Sequence, residues 1–429
     1  MAVTLERSSW PDSATDQGEL SSRAAAEAYV GGVCFKLGPP ALIGAELEWL
    51  TAGPTGSRPS LDQLAAALGA HAPTSIAPAS PANPLPGGSL VTVEPGGQIE
   101  LSSAPFADPA ALTQHLRADA ARLRDLLAAR EISVFAAAAD AGRPAERLLR
   151  LPRYAAMERR FDGVGPFGTL MMCNTAATQV SVDAGADPAE VQARWTALYV
   201  LGPTLISAFA CSPRLHGVPR GDWASQRMRT WLRLDPSRTR PPVADWADPM
   251  TSYAHWALDV PLLCVRCADV DADWSPPPGA TFADWLSGAL DDEVGRRPTL
   301  VDLDYHLTTL FPPVRASGHL EVRYLDTQPG DSWTTPIHLF DALLSTPAVV
   351  AEATALAAPT AGDWLTAARC GLFDPQLRGA AVDVLDLAAA HARTPAAAKE
   401  LAAAARRCRS GRSPLAAVAS SGNGSGRSR

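Results

Sequence analysis

Hydrophobic and polar residues alternate along several short segments of the chain, and such alternation predicts β-strands. The predicted strands cover residues 43–50, 90–94, 97–102, 132–137, 169–183 and 318–325. Apolar periodicity and helix-start residues predict helices at 22–34, 61–70, 109–130, 190–201 and, in several pieces, 334–408. Because the strands do not alternate regularly with helices, the pattern predicts an α+β fold with a largely antiparallel sheet.

The composition along the chain divides it into three parts. Residues 1–16 are predicted to be a flexible arm, and residues 17–408 a single catalytic domain with a helical arm at about 334–408. Residues 409–429, rich in Ser, Gly and Arg, are predicted to be a disordered tail. The Pro-rich segments 72–89, 232–250 and 274–280 are predicted to be loops.

The charge balance and the hydropathy pattern exclude several classes of protein. With 37 basic and 45 acidic residues the net charge is −8, and no basic stripe indicates a nucleic-acid partner. The sequence contains no apolar run of the length that spans a membrane and no apolar signal segment at its start. Seven cysteines in 429 residues are not a disulfide framework. We therefore expect a cytoplasmic protein with reduced thiols.

The usual phosphate-binding and catalytic motifs are missing. Lys36 and Lys399 are the only lysines, and neither follows a glycine as a P-loop requires. The sequence Gly163–Gly168 matches G-x-G-x-x-G but lacks the strand and helix that flank a dinucleotide site. The single pair Cys264 and Cys267 is more typical of packed thiols than of zinc. If the protein handles phosphates, arginines and metal ions must supply the positive charge.

Carboxylates recur on the predicted strands at a spacing that places them on one face. Residues two apart on a strand share a face, about 6.6 Å from each other. Glu46 and Glu48 form such a pair, Gln98 and Glu100 a second, and Glu321 and Arg323 a third. Glu94 lies just before the Pro95-Gly96-Gly97 turn and is predicted to face the same site. Gln179, Ser181 and Asp183 form a polar face opposite the valines of the segment 178–183.

A single strand with this pattern is most often a solvated sheet face, whereas three such strands are harder to explain that way. Clustered carboxylates repel one another unless a cation neutralises them. Hard oxygen ligands suit Mg²⁺, which usually keeps waters and phosphate oxygens as well. With Arg227, Arg229 and Arg323 as anion-binding groups, the residues favour a Mg-nucleotide site.

Several segments, in order, resemble the plant-type and proteobacterial glutamate–cysteine ligases. The stretch 92–105 (TVEPGGQIELSSAP) resembles the family signature, and 44–49 (GAELEW) resembles the first metal-binding strand. Segments 164–183, 209–231, 253–261, 281–288 and 306–326 follow in register, so the likeness runs from about residue 41 to 345. The arginine bias and the Ala-rich tail are similar to a high-GC bacterial branch that supplies γ-glutamylcysteine for ergothioneine biosynthesis.

The resemblance implies a glutamine-synthetase-like curved antiparallel sheet that forms a funnel flanked by helical arms. It implies that ATP phosphorylates the γ-carboxylate of glutamate and that the amine of cysteine then displaces phosphate. The implied Mg²⁺ ligands are Glu46, Glu48, Glu94, Glu100 and Glu321. Arg227, Gln179 and Trp231 are the implied substrate-binding residues, and Arg323, beside Glu321, is implied to stabilise phosphoryl charge.

Two alternatives remain at this point. The first is a related ligase that activates glutamate in the same way but uses a different acceptor amine. It remains open because no residue can be assigned to recognition of the cysteine thiol. A non-catalytic relative would bind Mg-nucleotide without turnover. The chain also departs from the family: Glu48-Trp49-Leu50 lacks the basic residues that often follow the first acidic strand, and Tyr324-Leu325-Asp326 differs from the plant pattern.

Overall fold

The computed structural model describes residues 20, 22–240, 247–267, 269 and 272–416. Its strands are β1 Ile43–Ala52, β2 Leu90–Val93, β3 Ile99–Ser102, β4 Ser133–Phe135, β5 Thr178–Val182, β6 Val314–Ala316 and β7 Leu320–Val322. Every strand pairing is antiparallel, in the order β2-β3-β1-β5-β7-β6, and β4 also pairs with β1. The predicted α+β class with an antiparallel sheet is confirmed.

Helices make up much of the rest of the chain. In the first half they are α1 Arg23–Cys34, α2 Leu61–Leu68, α3 Pro109–Ala128, α4 Pro152–Asp162, α5 Gly168–Asn174, α6 Pro188–Phe209 and α7 Gln226–Leu234. In the second half they are α8 Pro236–Thr239, α9 Pro249–Asp259, α10 Phe282–Ser287, α11 Asp291–Val294, α12 Leu300–Leu307, α13 Thr334–Leu343, α14 Pro347–Ala357, α15 Trp364–Cys370, α16 Pro375–Ala390 and α17 Pro395–Arg409.

The two faces of the sheet differ in chemistry, as the alternation in the sequence requires. Leu47 and Trp49 of β1 and Leu101 of β3 are buried on one face. Helices α3 and α13 pack against β1, and the Arg124 guanidinium of α3 lies 5.6 Å from the centre of the Trp49 ring. The opposite face carries the glutamates. Apolar burial on one face therefore leaves the other free to hold a polar site.

The segment 169–183 was predicted as one strand, and this was wrong in its first half. Residues 168–174 form α5, and only Thr178–Val182 are a strand. All seven residues of α5 except Thr169 are buried, so their apolar pattern does not distinguish helix from strand. A Cβ atom at Gly168 would lie 2.3 Å from the Phe161 Cβ, so glycine is what lets α5 approach α4 this closely.

Two other boundaries differ from the prediction. Helix α6 runs to Phe209, past Pro203, whereas it was predicted to end near residue 201. Its last residues, from Leu201 to Phe209, are all buried, so tertiary packing outweighs the local cost of the proline. The Pro-rich segment 232–250 contains the end of α7, the short α8 and the start of α9 rather than one continuous loop.

The ends of the chain bear on the predicted domain boundaries. The flexible arm predicted for residues 1–16 lies outside the described residues, as does the predicted tail from residue 417 onward. Helix α17 ends at Arg409, where the tail was predicted to begin. In the described part, no single helix has the length and apolarity needed to cross a membrane; the pair Thr334–Leu343 and Pro347–Thr360 meets the criteria jointly but is bent by 112°.

Candidate active site

A cavity of about 820 Å³ lies over the polar face of the sheet. Its floor comes from β1, β2, β3, β5, β6 and β7, and its walls come from α1, α4, α5, α7 and α12. Except for Arg229, the residues predicted for the site line this one cavity: Glu46, Glu48, Glu94, Glu100, Gln179, Arg227, Trp231, Glu321 and Arg323. These residues are spread over 278 positions of sequence, so the fold alone brings them together.

The register of the strands brings the carboxylates of the floor together. Glu48 on β1 faces Glu100 on β3, and Glu46 on β1 faces Gln179 on β5. The Gln179 Nε2 donates to Glu46 Oε2 and to Glu48 Oε1, both at 3.1 Å. Its Oε1 is buried without a hydrogen-bond partner among the described residues. We call Glu46, Glu48, Glu94 and Glu100 the acidic floor.

Burial and mutual repulsion make the acidic floor difficult to ionise fully. Burial, reinforced by the charge of Glu321, raises the pKa of Glu46 to about 7. Burial, reinforced by Glu94, raises the pKa of Glu48 to about 7. The pKa of Glu100 is raised well above its ordinary value by burial and by the charges of the other three carboxylates. The floor therefore attracts a cation, because a cation relieves this repulsion.

Glu321 has the opposite environment. Burial alone would raise the pKa of this carboxyl, but Arg315 and Arg323 outweigh it and hold the pKa at about 2. Arg323 Nη1 donates to Glu321 Oε1 at 2.5 Å, and Arg315 Nε donates to Oε2 at 2.7 Å. Each carboxylate oxygen accepts from one guanidinium group, so each keeps a second lone pair that a cation can use.

Two arginines and one tryptophan form a cationic and aromatic part of the cavity lining, which we call the arginine wall. The Trp231 ring centre lies 5.4 Å from the Arg227 guanidinium carbon and 5.5 Å from that of Arg323. The indole Nε1 donates to the Phe311 carbonyl at 3.0 Å, which fixes the ring. Arg227 Nη2 donates to the Arg323 carbonyl at 2.8 Å, so helix α7 and the end of β7 are tied together. The two buried cations favour an anionic ligand.

The turn before β3 sets the position of Glu94. Gln98 Oε1 accepts from the Gly96 N–H, and Gln98 Nε2 donates to the carbonyls of Met172 and Thr175. A Cβ atom at Gly96 would lie 2.3 Å from the Cys173 carbonyl oxygen, so the turn packs directly on the end of α5. Gly97 has a φ of +83°, which glycine adopts without strain. The sequence motif thus has a structural explanation.

Sequence reasoning missed several cavity residues. Lys36, Arg153, Arg266 and Arg315 also line the cavity. Arg153 donates to the Thr308 carbonyl at 2.8 Å, and Arg153 and Arg266 lie 5.3 Å and 5.1 Å from the Tyr305 ring centre. Arg315 lies on β6, and a strand of three residues is too short to show alternation in the sequence. In the structure, a hairpin at 317–319 places Arg315 opposite Glu321.

Two predictions were wrong, one about the place of Arg229 and the other about the packing of Cys264 and Cys267. Arg229, grouped with the anion-binding arginines, donates to the Pro219 carbonyl at 2.6 Å and lies 5.0 Å from the Trp223 ring centre, outside the cavity lining. Cys264 is buried but Cys267 is exposed, so the expectation of two packed thiols was wrong for the second.

The carboxylates are not arranged as a complete metal cage. Over the ranges that the structure describes, no three His, Cys, Asp or Glu side chains are grouped to hold a metal ion. The donor chemistry nevertheless fits Mg²⁺, which usually takes one or two carboxylates and completes its shell with phosphate oxygens and water. The unpartnered Gln179 Oε1 and the repulsion within the acidic floor are consistent with a cation there.

Comparisons with known proteins agree with this geometry. The family described as glutamate–cysteine ligase family 2 matches residues 42–428. A glutamate–cysteine ligase EgtA of Mycolicibacterium smegmatis is 40% identical over 382 residues, covering 87% of this chain and 86% of that protein. The EgtA of Mycobacterium tuberculosis is 37% identical over 394 residues, covering 90% and 88%.

More distant relatives extend the comparison. A chloroplastic glutamate–cysteine ligase of Medicago truncatula is 32% identical over 247 residues, covering 57% of this chain and 48% of its own length. Among solved structures, a glutamate–cysteine ligase of Francisella tularensis in complex with AMP superposes with a TM-score of 0.55 at 13% identity, covering 91% of this chain and 86% of that one. At that identity the likeness supports the fold.

Proposed function

The chain belongs to glutamate–cysteine ligase family 2, and from this premise we propose that it joins the γ-carboxyl of glutamate to the amine of cysteine at the expense of ATP. The resemblance drawn from the sequence motifs is thereby confirmed, and the protein is a ligase. The observation that supports the proposal best is the cavity itself, which combines an acidic floor with a wall of arginines. Such a site suits a metal-bound polyphosphate beside an amino-acid carboxylate.

The acidic floor is the proposed metal site. Glu46, Glu48, Glu94 and Glu100 would hold Mg²⁺, and Glu321 would join them through the lone pairs that the arginines do not use. Bound there, Mg²⁺ would neutralise the polyphosphate and the charge that develops on the transferring phosphoryl group. Gln179 holds Glu46 and Glu48 in place by its two donated bonds, and its free oxygen is a further polar contact for the ligand.

The arginines are the proposed anion-binding groups. Arg227 would bind the α-carboxylate of glutamate, with Trp231 packed against both substrate and guanidinium. Arg323 and Arg315 would stabilise the negative charge on the transferring phosphoryl group, because guanidinium groups already held in place need little reorganisation when the charge develops. Their shared partner Glu321 fixes the orientation of both.

The reaction has two proposed steps. A γ-carboxylate oxygen of glutamate attacks the terminal phosphorus of ATP, giving γ-glutamyl phosphate and ADP. The cysteine nitrogen then attacks the acyl carbon, and the tetrahedral intermediate collapses with the loss of inorganic phosphate and a proton from nitrogen. Positioning and charge stabilisation account for most of the proposed catalysis.

The names of the relatives support cysteine as the acceptor amine. We further propose that γ-glutamylcysteine supplies ergothioneine biosynthesis, as the resemblance to the high-GC bacterial branch implied. The proposed location is the cytoplasm, where ATP and reduced cysteine are available; the seven cysteines are all unpaired thiols. A glutamate ligase with another acceptor amine, and a non-catalytic relative, are the alternatives that the experiment must separate.

The test is phosphate release from MgATP and glutamate, with and without cysteine, alongside mass detection of γ-glutamylcysteine. We expect cysteine-dependent phosphate release that equals dipeptide formation. Serine, 2-aminobutyrate and a polyamine serve as competing acceptors. Phosphate release without dipeptide would point to another amine, and the absence of turnover with every amine would leave only the non-catalytic alternative.

A further inference from the structure

Asp326 is a buried carboxylate just outside the cavity, three residues after Arg323. Its side chain is only 1% exposed. Its Oδ2 accepts from the Cys211 N–H at 2.9 Å and from the Ser212 hydroxyl at 2.7 Å, and its Oδ1 accepts from the Ser225 hydroxyl at 2.8 Å. Nothing in the proposed reaction uses this group.

The two hydroxyls that Asp326 binds also accept from the first turn of α7. Ser225 precedes the helix, and its Oγ accepts from the Met228 N–H at 3.0 Å. The Ser212 Oγ accepts from the Arg227 N–H at 3.2 Å. These amides have no partner within the helix, so the two hydroxyls satisfy donors that would otherwise be unpaired.

The carboxylate decides which way each hydroxyl points. A serine hydroxyl has one proton and two lone pairs, and an ionised carboxylate can only accept. The two hydroxyl oxygens lie 3.2 Å apart, but each is closer to the carboxylate, at 2.7 and 2.8 Å. Both protons are therefore directed at Asp326, which leaves the lone pairs of Ser212 and Ser225 for the amides of α7. A neutral amide at position 326 would present donors to one of the hydroxyls and disrupt this arrangement.

The Asp326 residue is also anchored to the sheet through its backbone. Its backbone pairs with Ala177, whose N–H donates to Glu48 Oε2 at 2.8 Å. Arg227 Nη2 donates to the Arg323 carbonyl on the same segment. Burial lowers the pKa of Arg227, and the charges of Asp326 and Glu48 oppose that effect. Asp326 thus contacts the helix through hydroxyls and supports the cation through its charge.

We propose that Asp326 is a positioning residue that orients Arg227 toward the carboxylate of glutamate by fixing the Ser212 and Ser225 hydroxyls at the start of α7. This inference rests on the proposed function, because it takes Arg227 as the glutamate-binding group. Asp326 contacts no substrate in this proposal and affects glutamate binding only through the Ser212 and Ser225 hydroxyls.

The test is Asp326→Asn, with steady-state kinetics for each substrate and calorimetric binding of glutamate. We expect the KM for glutamate and its dissociation constant to rise about tenfold to a hundredfold, the loss typical of one charge-assisted hydrogen bond. The KM for ATP should change less than about twofold, since the acidic floor is untouched. A purely structural role would reduce the active fraction and leave the KM for glutamate unchanged.

Asp119→Asn is the matched control. Asp119 is also a fully buried aspartate, and it accepts from the Gly87 and Ser89 N–H groups away from the cavity. We expect a loss of stability in this variant with the KM for glutamate unchanged. An equal rise in that KM in both variants would overturn the proposal.

A double-mutant cycle tests the route through the hydroxyls. If Asp326 acts through Ser225, Asp326→Asn should have a much smaller effect in the Ser225→Ala background than alone; full additivity would contradict this. Should Asp326→Asn not fold, Ser212→Ala and Ser225→Ala decide, and an unchanged KM for glutamate in both overturns the proposal. The wild type is assayed in parallel, so its failure to make γ-glutamylcysteine would count against the proposed function instead.

Discussion

Glu48 on β1 and Glu100 on β3 lie directly opposite each other in antiparallel register. Like charges in this arrangement destabilise a sheet, and burial strengthens the repulsion because water no longer screens it. Thr92 donates to Glu100 Oε1 at 2.7 Å and the Ala177 N–H donates to Glu48 Oε2, which offsets only part of the cost. The pair is better explained by ligand binding than by stability.

Replacing Glu100 by Gln should separate function from folding. The amide keeps the shape but removes one of the carboxylates that we propose to bind Mg²⁺, so we expect turnover to fall by about a thousandfold or more. Stability should be unchanged or slightly higher, because one buried charge that repels Glu46, Glu48 and Glu94 is removed. Phosphate-release assays and chemical denaturation measure the two effects.

Glu352→Gln is the control for that substitution. Glu352 is exposed on α14, away from the cavity, so its turnover and stability should match those of the wild type. Wild-type turnover in Glu100→Gln would contradict the placement of the metal in the acidic floor.

Direct metal binding gives a measurement that does not depend on turnover. Mn²⁺, a paramagnetic substitute for Mg²⁺, should bind the wild type in the presence of ADP and be weakened about tenfold or more by Glu48→Gln, as expected when a site loses a charged ligand. Electron paramagnetic resonance of free Mn²⁺ reports the affinity. Equal affinities for the wild type and for Glu48→Gln would place the ion elsewhere.

The turn at Gly96 should tolerate no side chain. In Gly96→Ala the new Cβ would lie 2.3 Å from the Cys173 carbonyl oxygen and 2.5 Å from its Cα, and backbone atoms cannot move aside cheaply. We expect a loss of about 2 kcal/mol or more in the free energy of unfolding and a fall in turnover, since the turn carries Glu94. Denaturant titration and the phosphate assay check both.

Gly379→Ala is the matched control. Gly379 lies inside α16, and a Cβ there would meet nothing within 4 Å. The substitution should raise the free energy of unfolding by about 0.5–1 kcal/mol, the helix-propensity difference between the two residues. A similar loss of stability in both variants would mean that glycine flexibility, not the contact with Cys173, explains the first result.

Much of the site was predictable because its residues lie on strands with clear alternation. The period of two places Glu46 and Glu48 on one face, and a buried apolar face then fixes which side faces the cavity. The pairing of Glu48 with Glu100 was not predictable, because register depends on the turn geometry and on the tertiary fold. The local pattern does not show that glutamates and arginines from separate strands and helices form one site, and that prediction came from the family resemblance.

The residues that sequence reasoning missed lie where local signals are weak. Lys36 follows the end of α1, Arg153 lies in the first turn of α4, and Arg315 is on a strand of three residues. Arg229 was grouped with the anion-binding arginines because it is close to Arg227 in sequence. On a helix, however, residues two apart point in different directions, and Arg229 faces Trp223 instead of the cavity.

His306, on the helix that also provides Tyr305 to the cavity, should make the protein sensitive to acid. Burial lowers the pKa of His306 to about 4, and a hydrogen bond with the Ala257 carbonyl, 2.7 Å from Nε2, only partly opposes it. Its Nδ1 is buried without a partner among the described residues, so a second proton has no acceptor. The folded state therefore favours the neutral imidazole.

The sign of the effect follows from proton uptake. As the pH falls below 6.5, His306 binds a proton in the unfolded chain, whereas in the folded state it binds one only near pH 4. The free energy of unfolding therefore falls as the pH drops from 6.5 to 4. The contribution is at most about 3.4 kcal/mol. His306→Gln keeps a donor for the Ala257 carbonyl. In this variant the free energy of unfolding should fall less steeply between pH 6.5 and 4, because about one proton fewer is taken up on unfolding.

Denaturant titrations at several pH values measure this difference, and subtracting the variant from the wild type cancels the contributions of the carboxylates. His391→Gln, at an exposed histidine after α16, is the control and should keep the wild-type slope. If His306→Gln also had the wild-type pH dependence, His306 would bind its proton equally well in the folded and unfolded states. The buried Nδ1 would then need an acceptor in the folded state. Turnover at neutral pH should be close to that of the wild type in both variants, because His306 does not line the cavity.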